Sequence, residues 1–232
     1  MRKIIVYIAT SADGFIARPD GSVDWLNRPR TAGDYGMGAF RRSIDSIVLG
    51  RKTYEFGLQH GARFETQPKH YVFSRNATGL VRAPGVEFVS EEPAAFAKHL
   101  RAQPGKNIWM MGGAELIGAF VDQDQIDEFI IHVIPTLIGE GIPLLGPGRR
   151  EIQLSLRSCK HFSDGVVRLH YLVAKGRKVR PRANNGRSNT GMEPTAQKAR
   201  RGSCPAVRRT GVRMKSESTR SSEEGPWGLR GD

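Results

Sequence analysis

One stretch of this sequence joins residue types that could bind an anion. The apolar run Ile108–Met111 meets Gly112 and Gly113 and passes directly into the helix-compatible residues 114–120. A backbone without Cβ atoms can approach a ligand closely, and a helix N-terminus offers N–H groups and a positive dipole end. The order of strand, glycine pair and helix therefore predicts a phosphate site, although the two glycines could also form a plain turn.

Two further predicted strands end in polar or cationic residues. These residues are Gly50, Arg51, Lys52 and Thr53 after one strand, and Ser74 and Arg75 after another. Arginine matches the geometry of a phosphate with two parallel hydrogen bonds, and lysine adds a point charge. Each segment alone could be a solvated loop. Together with the glycine pair they favour a cofactor that carries several phosphates.

The usual nucleotide-binding fingerprints are missing from the sequence. Gly146 and Gly148 are followed by Arg149 and Arg150, and no predicted strand precedes them, so they do not form a Rossmann GxGxxG motif. No GxxxxGK[ST] motif occurs either. The sequence therefore disfavours a Rossmann domain and a P-loop domain.

Metal-binding and targeting signals are also missing. Cys159 and Cys204 form no CxxC pair, and His132, inside a predicted strand, is interpreted as a structural histidine, so no metal site is predicted. The apolar run at the N-terminus is too short and too interrupted for a signal peptide, and no stretch reaches membrane-spanning length. A soluble cytoplasmic protein is expected.

The elements that must position these residues alternate between strand and helix. Predicted strands cover residues 3–10, 46–49, 70–74, 86–89, 108–111 and 126–135, and predicted helices cover 31–43, the latter half of 50–56, 91–101 and 114–120. Residues 152–160 and 166–174 are expected to form an antiparallel hairpin. This pattern predicts an α/β fold with a mostly parallel, mixed sheet and helices on both faces. Such sheets bind ligands beyond the carboxyl ends of their strands.

Charge divides the 232 residues into a body and a tail. The formal net charge is +13, and residues 175–232 hold 15 basic and 5 acidic side chains, against 21 and 18 in residues 1–174. We therefore predict a folded domain at 1–175 and a disordered basic tail at 176–232, which lacks apolar periodicity. Because the body has no large basic excess, a nucleic-acid partner is not favoured. A basic arm for RNA remains an alternative to a dispensable extension or a reading-frame artefact.

The order of short motifs along the body carries a family resemblance. The segments SADGFIA, DW, VLGRKTYE, VFSRN, IWMMGGAELIGAF and IIHVIPTLIGEGIPLL together resemble the dihydrofolate reductase superfamily. Within it, residues 2–174 are most similar to the reductase domain at the C-terminus of the bifunctional riboflavin-biosynthesis protein. The resemblance implies a three-layer dihydrofolate reductase-like fold of about eight strands. It also implies hydride transfer from NADPH to a small heterocyclic or carbonyl substrate.

The resemblance also implies roles for individual residues along the cofactor. It assigns Gly50, Arg51, Lys52 and Thr53 to the adenosine 2′-phosphate and pyrophosphate, Ser74 and Arg75 to the adenosine end, Gly112, Gly113, Ala114 and Glu115 to the pyrophosphate, and Ala9 and Thr10 to the nicotinamide. The deaminase signature of the bifunctional riboflavin protein is absent from this sequence. A non-catalytic NADP(H)-binding module remains an alternative, and a homodimer is considered.

The substrate side of the predicted site is less defined. Asp34 lies sixteen residues before Gly50, about where folate reductases keep the carboxylate that assists protonation of the pterin. It is therefore the candidate catalytic residue, and a helix cap is the alternative. Asp13 and Asp24 also lie near the expected cleft, where both suit turns as well as catalysis. Trp25 is interpreted as a core residue or a lid aromatic.

Overall fold

The computed structural model describes residues 1–29, 32–146, 148 and 151–174, and the predicted tail lies outside the described residues. The strands are β1 (Ile4–Ser11), β2 (Phe15–Ala17), β3 (Ile44–Gly50), β4 (Lys69–Phe73), β5 (Val86–Val89), β6 (Asn107–Gly112), β7 (Glu128–Ile134), β8 (Ile142–Pro143), β9 (Leu154–His161) and β10 (Val167–Val173). The α-helices are α1 (Met37–Arg42), α2 (Arg51–Gln59), α3 (Pro93–Ala102) and α4 (Ala114–Asp122), and a short 3-10 helix spans Asp24–Leu26.

Eight of these strands form one mixed sheet. Their order is β5-β4-β3-β6-β1-β7-β10-β9. The first six run parallel, whereas β10 is antiparallel to β7 and to β9. The predicted sheet of about eight strands with a terminal hairpin is therefore confirmed. β2 and β8 pair separately, and a two-residue strand such as β8 shows no periodicity from which to predict it.

Helices cover both faces of the sheet, as predicted. α3 and α4 pack on one face, where the buried core includes Ile4, Val6, Ile108, Met110, Phe96, Leu100, Ile117 and Phe120. α1 and α2 pack on the other face, where the core includes Ile5, Tyr7, Ile47, Leu49, Met37, Phe40, Tyr54 and Trp109. Alternate residues of β1 enter the two cores because successive side chains of a strand point to opposite faces. This explains why β1 is apolar along its length and buried on both sides.

α1 is held over β1 by aromatic contacts. The rings of Tyr7 and Phe40 stack with their centroids 4.2 Å apart, and Trp109 meets Phe40 edge to face. The indole Nε1 of Trp109 donates a hydrogen bond of 3.0 Å to the carbonyl oxygen of Tyr7. These contacts hold α1, and with it the residues just before the helix, over β1.

Two helix boundaries differ from the sequence prediction. A helix was expected over residues 31–43, but α1 begins only at Met37 because Gly36 has φ 91° and Tyr35 has φ 53°. A left-handed backbone cannot continue a right-handed helix. α2 begins earlier than expected, at Arg51, directly after the extended Gly50.

None of the helices in the described ranges is long and apolar enough to cross a bilayer.

Two buried histidines make the stability of the domain dependent on pH. His70 and His132 are 7% and 2% exposed. Burial, with a smaller contribution from the charges of Arg41 near His70 and Arg168 near His132, lowers the pKa of each imidazole to about 4. In the unfolded chain both pKa values return to about 6.5. Between these values the unfolded state binds more protons than the folded state, so the free energy of unfolding falls as the pH drops.

We expect the melting temperature to decrease steadily from pH 6.5 to pH 4, with each histidine contributing at most on the order of 3 kcal/mol. His132→Gln should make this decrease shallower because it removes one of the two groups. The matched control is His99→Gln, which changes an exposed histidine on α3. Thermal melts across this pH range test the expectation, and equal slopes for the wild type and His132→Gln would contradict it.

Candidate functional site

The chain leaves two neighbouring strands in opposite directions. β3 and β6 are adjacent, but β3 leads through α2 to β4, whereas β6 leads through α4 to β7 on the other side of β1. α2 and α4 also pack on opposite faces of the sheet. This is a topological switch point, where parallel α/β sheets form a crevice beyond the carboxyl ends of their strands.

Two helix N-termini meet at this switch point. Gly50 and Gly113 are the N-cap residues of α2 and α4, each helix has nine residues, and neither N-cap makes a side-chain capping hydrogen bond. A Cβ added to Gly50 would lie 3.8 Å from the Gly112 carbonyl oxygen and the Gly113 nitrogen, and one added to Gly113 would lie 3.4 Å from Thr53 Oγ1. The positive ends of the two helices therefore lie against each other, and the surface between them, called the groove below, is formed by the glycine backbone together with the side chains of Thr53 and Leu116.

The backbone of the glycine pair requires glycine at its first position. Gly112 has φ 118°, in a region that side-chain-bearing residues rarely adopt, and the Gly112–Gly113 peptide bond is cis. A Cβ at Gly112 would also meet Ile117 Cδ1 at 3.4 Å. The glycine pair thus does more than connect a strand to a helix, because it also holds the start of α4 against the end of β3.

Two solvent-exposed ion pairs lie beside the groove. Lys52 Nζ lies 3.7 Å from Glu115 Oε1, and both side chains are more than 80% exposed. Arg51 Nε lies 3.0 Å from Glu55 Oε1, and Arg51 Nη1 donates to the carbonyl oxygen of Asn76 at 3.3 Å. Exposed ion pairs contribute little to stability, so these cations can turn to a phosphate at low cost.

The segment after β4 lies beside the start of α2. The Ser74 nitrogen donates to the Val89 carbonyl oxygen at 2.9 Å, and its hydroxyl donates to the Asn76 carbonyl oxygen at 2.6 Å. Because Arg51 contacts the same carbonyl group, the two predicted segments share one hydrogen-bond acceptor. Arg75 is exposed next to them.

The predicted cofactor residues form one row along the carboxyl ends of four neighbouring strands. Ser74 and Arg75 follow β4, the Gly50 segment follows β3, the Gly112 segment follows β6, and Ala9 and Thr10 lie near the end of β1. These four strands are direct neighbours in that order. At a spacing of about 4.8 Å the row is about 14 Å long. The spatial order equals the order of roles along the cofactor that the family resemblance implies, while the binding roles themselves remain predictions.

Asp34 lies off this row, at the start of α1. Its two carboxylate oxygens each accept a 2.8 Å hydrogen bond, one from the Gly36 nitrogen and one from the Gly38 nitrogen. These backbone N–H groups, Gly36 first, lower the pKa of Asp34. The contacts are those of the capping alternative. Burial raises the pKa of Tyr7 on β1, and the charge of Asp34 adds to this rise. The catalytic role of Asp34 remains a prediction.

The other two candidate carboxylates have structural partners. Asp24 accepts two hydrogen bonds from Arg18, the shorter at 2.6 Å. Asp13 Oδ2 accepts hydrogen bonds from the nitrogens of Ile138 at 3.1 Å and Gly139 at 2.8 Å. A hydrogen bond from the Ser11 side chain is the main cause of the lowered pKa of Asp13. Asp13 therefore ties the turn after β1 to the loop after β7, a contact between residues 125 positions apart that no local pattern could reveal.

Gly146 contacts the start of α4, and the sequence did not predict this contact. Its nitrogen donates to the Ala114 carbonyl oxygen at 3.2 Å. A Cβ at Gly146 would lie 3.3 Å from the Cα atom of Glu115. Gly146 therefore packs against the first turn of α4, and a side chain at this position would have to displace that backbone by a few tenths of an ångström.

Comparison with known proteins identifies the family. Residues 2–168 match the model of the RibD C-terminal domain. The chain belongs to the RibD C-terminal domain family. YwjB of Bacillus subtilis, an uncharacterized protein, is 42% identical over 174 residues, which cover 75% of this chain and 99% of YwjB. The riboflavin biosynthesis protein RibD of Corynebacterium ammoniagenes is 28% identical over 180 residues, or 71% of this chain and 52% of RibD.

Solved structures of RibD-type proteins share the fold. The crystal structure of a putative riboflavin biosynthesis protein from Shewanella sp. PV-4 matches with a TM-score of 0.66 and 27% identity, covering 75% of this chain and 99% of that protein. The pyrimidine reductase-like protein of Corynebacterium diphtheriae matches with a TM-score of 0.59 and 16% identity, covering 75% and 93%. The dihydrofolate reductase-like fold and the resemblance to riboflavin-biosynthesis reductase domains are thereby confirmed.

Proposed function

We propose that this RibD C-terminal domain protein is an NADPH-dependent reductase that transfers a hydride to a small heterocyclic or carbonyl substrate. The substrate would be of the 5-amino-6-(5-phosphoribosylamino)uracil type or of the dihydrofolate type. The observation that carries the proposal is the meeting of two glycine-capped helix N-termini at the switch point of the sheet. Two positive helix ends with glycine at both N-cap positions suit a pyrophosphate.

The proposed work of the protein is binding and orientation. Bound NADPH supplies the hydride, and the chain places its reactive ring and excludes water. The first turns of α2 and α4 would hold the pyrophosphate, with Lys52 adding positive charge. Arg51 and Arg75 would bind the adenosine 2′-phosphate and the adenosine end. Ala9, which is 4% exposed, would place the nicotinamide against β1.

A non-catalytic NADP(H)-binding module is the alternative proposal. It would keep the same phosphate-binding residues and lack turnover. The discriminating experiment follows NADPH oxidation by absorbance, with dihydrofolate and with the ribosylamino-pyrimidinedione intermediate of riboflavin synthesis as substrates. NADPH oxidation that depends on either substrate supports the reductase, whereas tight NADPH binding with no reduction of any tested substrate supports the module.

Arg51→Ala is expected to weaken NADPH binding about ten- to a hundredfold and to leave NADH binding almost unchanged. A charge-assisted contact to the 2′-phosphate contributes roughly 1.5–3 kcal/mol, and NADH lacks that phosphate. Titration of both cofactors by protein fluorescence or calorimetry measures the change. Arg63→Ala is the matched control, because Arg63 lies outside the row. Equal losses for NADPH and NADH would move the 2′-phosphate site elsewhere, with Arg75 as the next candidate.

We also propose that the protein forms a homodimer through its terminal hairpin. All eight residues of β9 are exposed, and this strand is the outer edge of the sheet. Leu154 and Leu156 are 40% and 57% exposed, and they pair in register with Val173 and Tyr171, so these four side chains share one face. An open apolar strip on an edge strand is a common partner surface.

The cytoplasmic location remains a prediction.

Leu156→Lys is expected to convert this dimer to a monomer. The substitution places a charge in the strip and removes about 1.5–3 kcal/mol of apolar burial from each of two copies. Light scattering coupled to size-exclusion chromatography measures the mass. Leu137→Lys, at a position that is 74% exposed outside the hairpin, should leave the mass unchanged. A wild-type protein that is monomeric at high concentration would contradict the proposal.

A further inference from the structure

Two side-chain donors at the nicotinamide end of the predicted row are buried without an acceptor. Trp25 is 7% exposed, and its Nε1 has no hydrogen-bond partner among the described residues; the same holds for Nη1 of Arg28. Buried polar groups nearly always have a partner, so each exception needs an explanation. Trp109 shows the ordinary case, since its Nε1 donates to the Tyr7 carbonyl oxygen at 3.0 Å.

The surroundings of Trp25 connect it to the end of β1. It packs in one buried cluster with Ala9, Tyr35, Ile134 and Val166. Ala9 is the residue expected to face the nicotinamide, and Ile134 is the last residue of β7, paired in register with Ser11 of β1. Trp25 therefore lies near the carboxyl ends of β1 and β7. The helix N-termini follow the other strands, β3 and β6.

Arg28 is fixed in place and keeps one donor atom unused. Its Nη2 donates to the carbonyl oxygen of Asp164 at 2.6 Å. Burial alone would raise the pKa of Asp164, but the hydroxyl of Tyr35, the Val166 N–H and the charge of Arg28 outweigh it, so the pKa is lowered. The ionised Asp164 offsets part of the charge of Arg28. What remains for a ligand is a directed N–H donor with partial positive charge, which suits a single acceptor oxygen.

We propose that Trp25 Nε1 and Arg28 Nη1 bind an acceptor oxygen at the edge of the substrate, which is a flat ring compound carrying a carbonyl or a deprotonated imide oxygen. Trp25, Tyr35 and Ile134 share one buried apolar cluster, and in such surroundings an N–H donor binds an acceptor oxygen more strongly than it does in water. This inference rests on the proposed reductase function, because it places the ring next to the nicotinamide. It assigns Trp25 a binding role, where the sequence alone left a core residue or a lid aromatic open.

The test uses the full chain saturated with NADP⁺ and lumazine as the probe, a fused pyrimidinedione ring without phosphate. The indole N–H resonances of Trp25 and Trp109 are followed in a nitrogen-15 correlation spectrum and assigned by substitution. We expect lumazine to shift the Trp25 resonance downfield and to leave the Trp109 resonance in place. Ribose 5-phosphate, which has a phosphate and no ring, should shift neither. A Trp25 resonance that does not move would overturn the inference and leave a buried water as the partner of this donor.

Two variants test the same contact by affinity. Trp25→Phe keeps the aromatic ring and removes the donor, and Arg28→Met keeps the aliphatic stem and removes the charge. Each should weaken lumazine binding by about tenfold and leave NADP⁺ binding unchanged. Lumazine affinity equal to that of the wild type in both variants contradicts the inference. Failure of the proposed function looks different, because then NADP⁺ does not bind the wild-type protein.

Discussion

Gly50→Val is expected to raise the Kd for NADPH by about a hundredfold or more and to change the melting temperature little. The groove between the first turns of α2 and α4 has the backbone of Gly50 as part of its floor, and valine would fill it. Loss of two charge-assisted hydrogen bonds to a pyrophosphate corresponds to roughly 3 kcal/mol or more. The fold should tolerate the change, because Gly50 has φ −82° and ψ 160°, a conformation that valine adopts readily.

Gly50→Ala serves as the graded control for this experiment. Its single Cβ would lie 3.8 Å from its nearest neighbours, an ordinary van der Waals distance. We expect an intermediate loss of affinity in this variant. Calorimetric titration and thermal melts on the same samples separate binding from folding. NADPH affinity that is unchanged in Gly50→Val would mean that the phosphates do not occupy the groove, and the proposed site would be wrong.

Asp34→Asn is expected to lower turnover by roughly 10²–10⁴-fold while NADPH binding remains intact. Hydride delivery to a C=N or C=O carbon leaves a nitrogen or oxygen that must gain a proton. Because its pKa is lowered, Asp34 is ionised at neutral pH. It would therefore assist by orienting a water molecule or a substrate N–H group rather than by donating its own proton. The phosphates lie at the other end of the cofactor, so its affinity should not respond.

This substitution separates the two roles of Asp34. Asparagine keeps one acceptor oxygen for the two backbone N–H groups that Asp34 binds, so Asp34→Asn should lower the melting temperature only modestly. Asp34→Ala removes both the charge and the cap, and it should lower the melting temperature as well. Steady-state kinetics on the active substrate decide the question. Wild-type turnover in Asp34→Asn would show that Asp34 only caps α1, and the folate-type substrate would lose its residue-level support.

Local patterns in the sequence predicted the elements that form the framework. The strand at Val86–Val89 was predicted with its observed limits, and the other predicted strands of the sheet differ at their ends by one or two residues. In central strands such as β1, an unbroken apolar run indicates burial on both faces, so the strand can be recognised from its own residues. The glycines at the starts of α2 and α4 were visible for a similar reason, since each directly follows an apolar strand, while their role in phosphate binding remains a prediction.

Features that depend on distant contacts were not predictable from the sequence. The carboxylate of Asp13 reads as an ordinary turn residue, and only the fold brings Ile138 and Gly139 to it. No predicted strand precedes Gly146, yet this residue packs against α4. For Asp34 the sequence allowed catalysis and capping equally, because both use the same carboxylate just before a helix. The unpaired donor of Trp25 likewise becomes visible only when its neighbours are known.

The position of β1 has a consequence for how the protein is made. This strand pairs with β6 and β7 and with no other strand of the described sheet. During synthesis β1 is therefore apolar and unpaired until residues 107–112 have left the ribosome, about a hundred residues later. Nascent chains that stop earlier expose an aggregation-prone strand. Fragments that end before β6 should accordingly be insoluble, and chaperones that hold extended apolar segments should bind the N-terminus first.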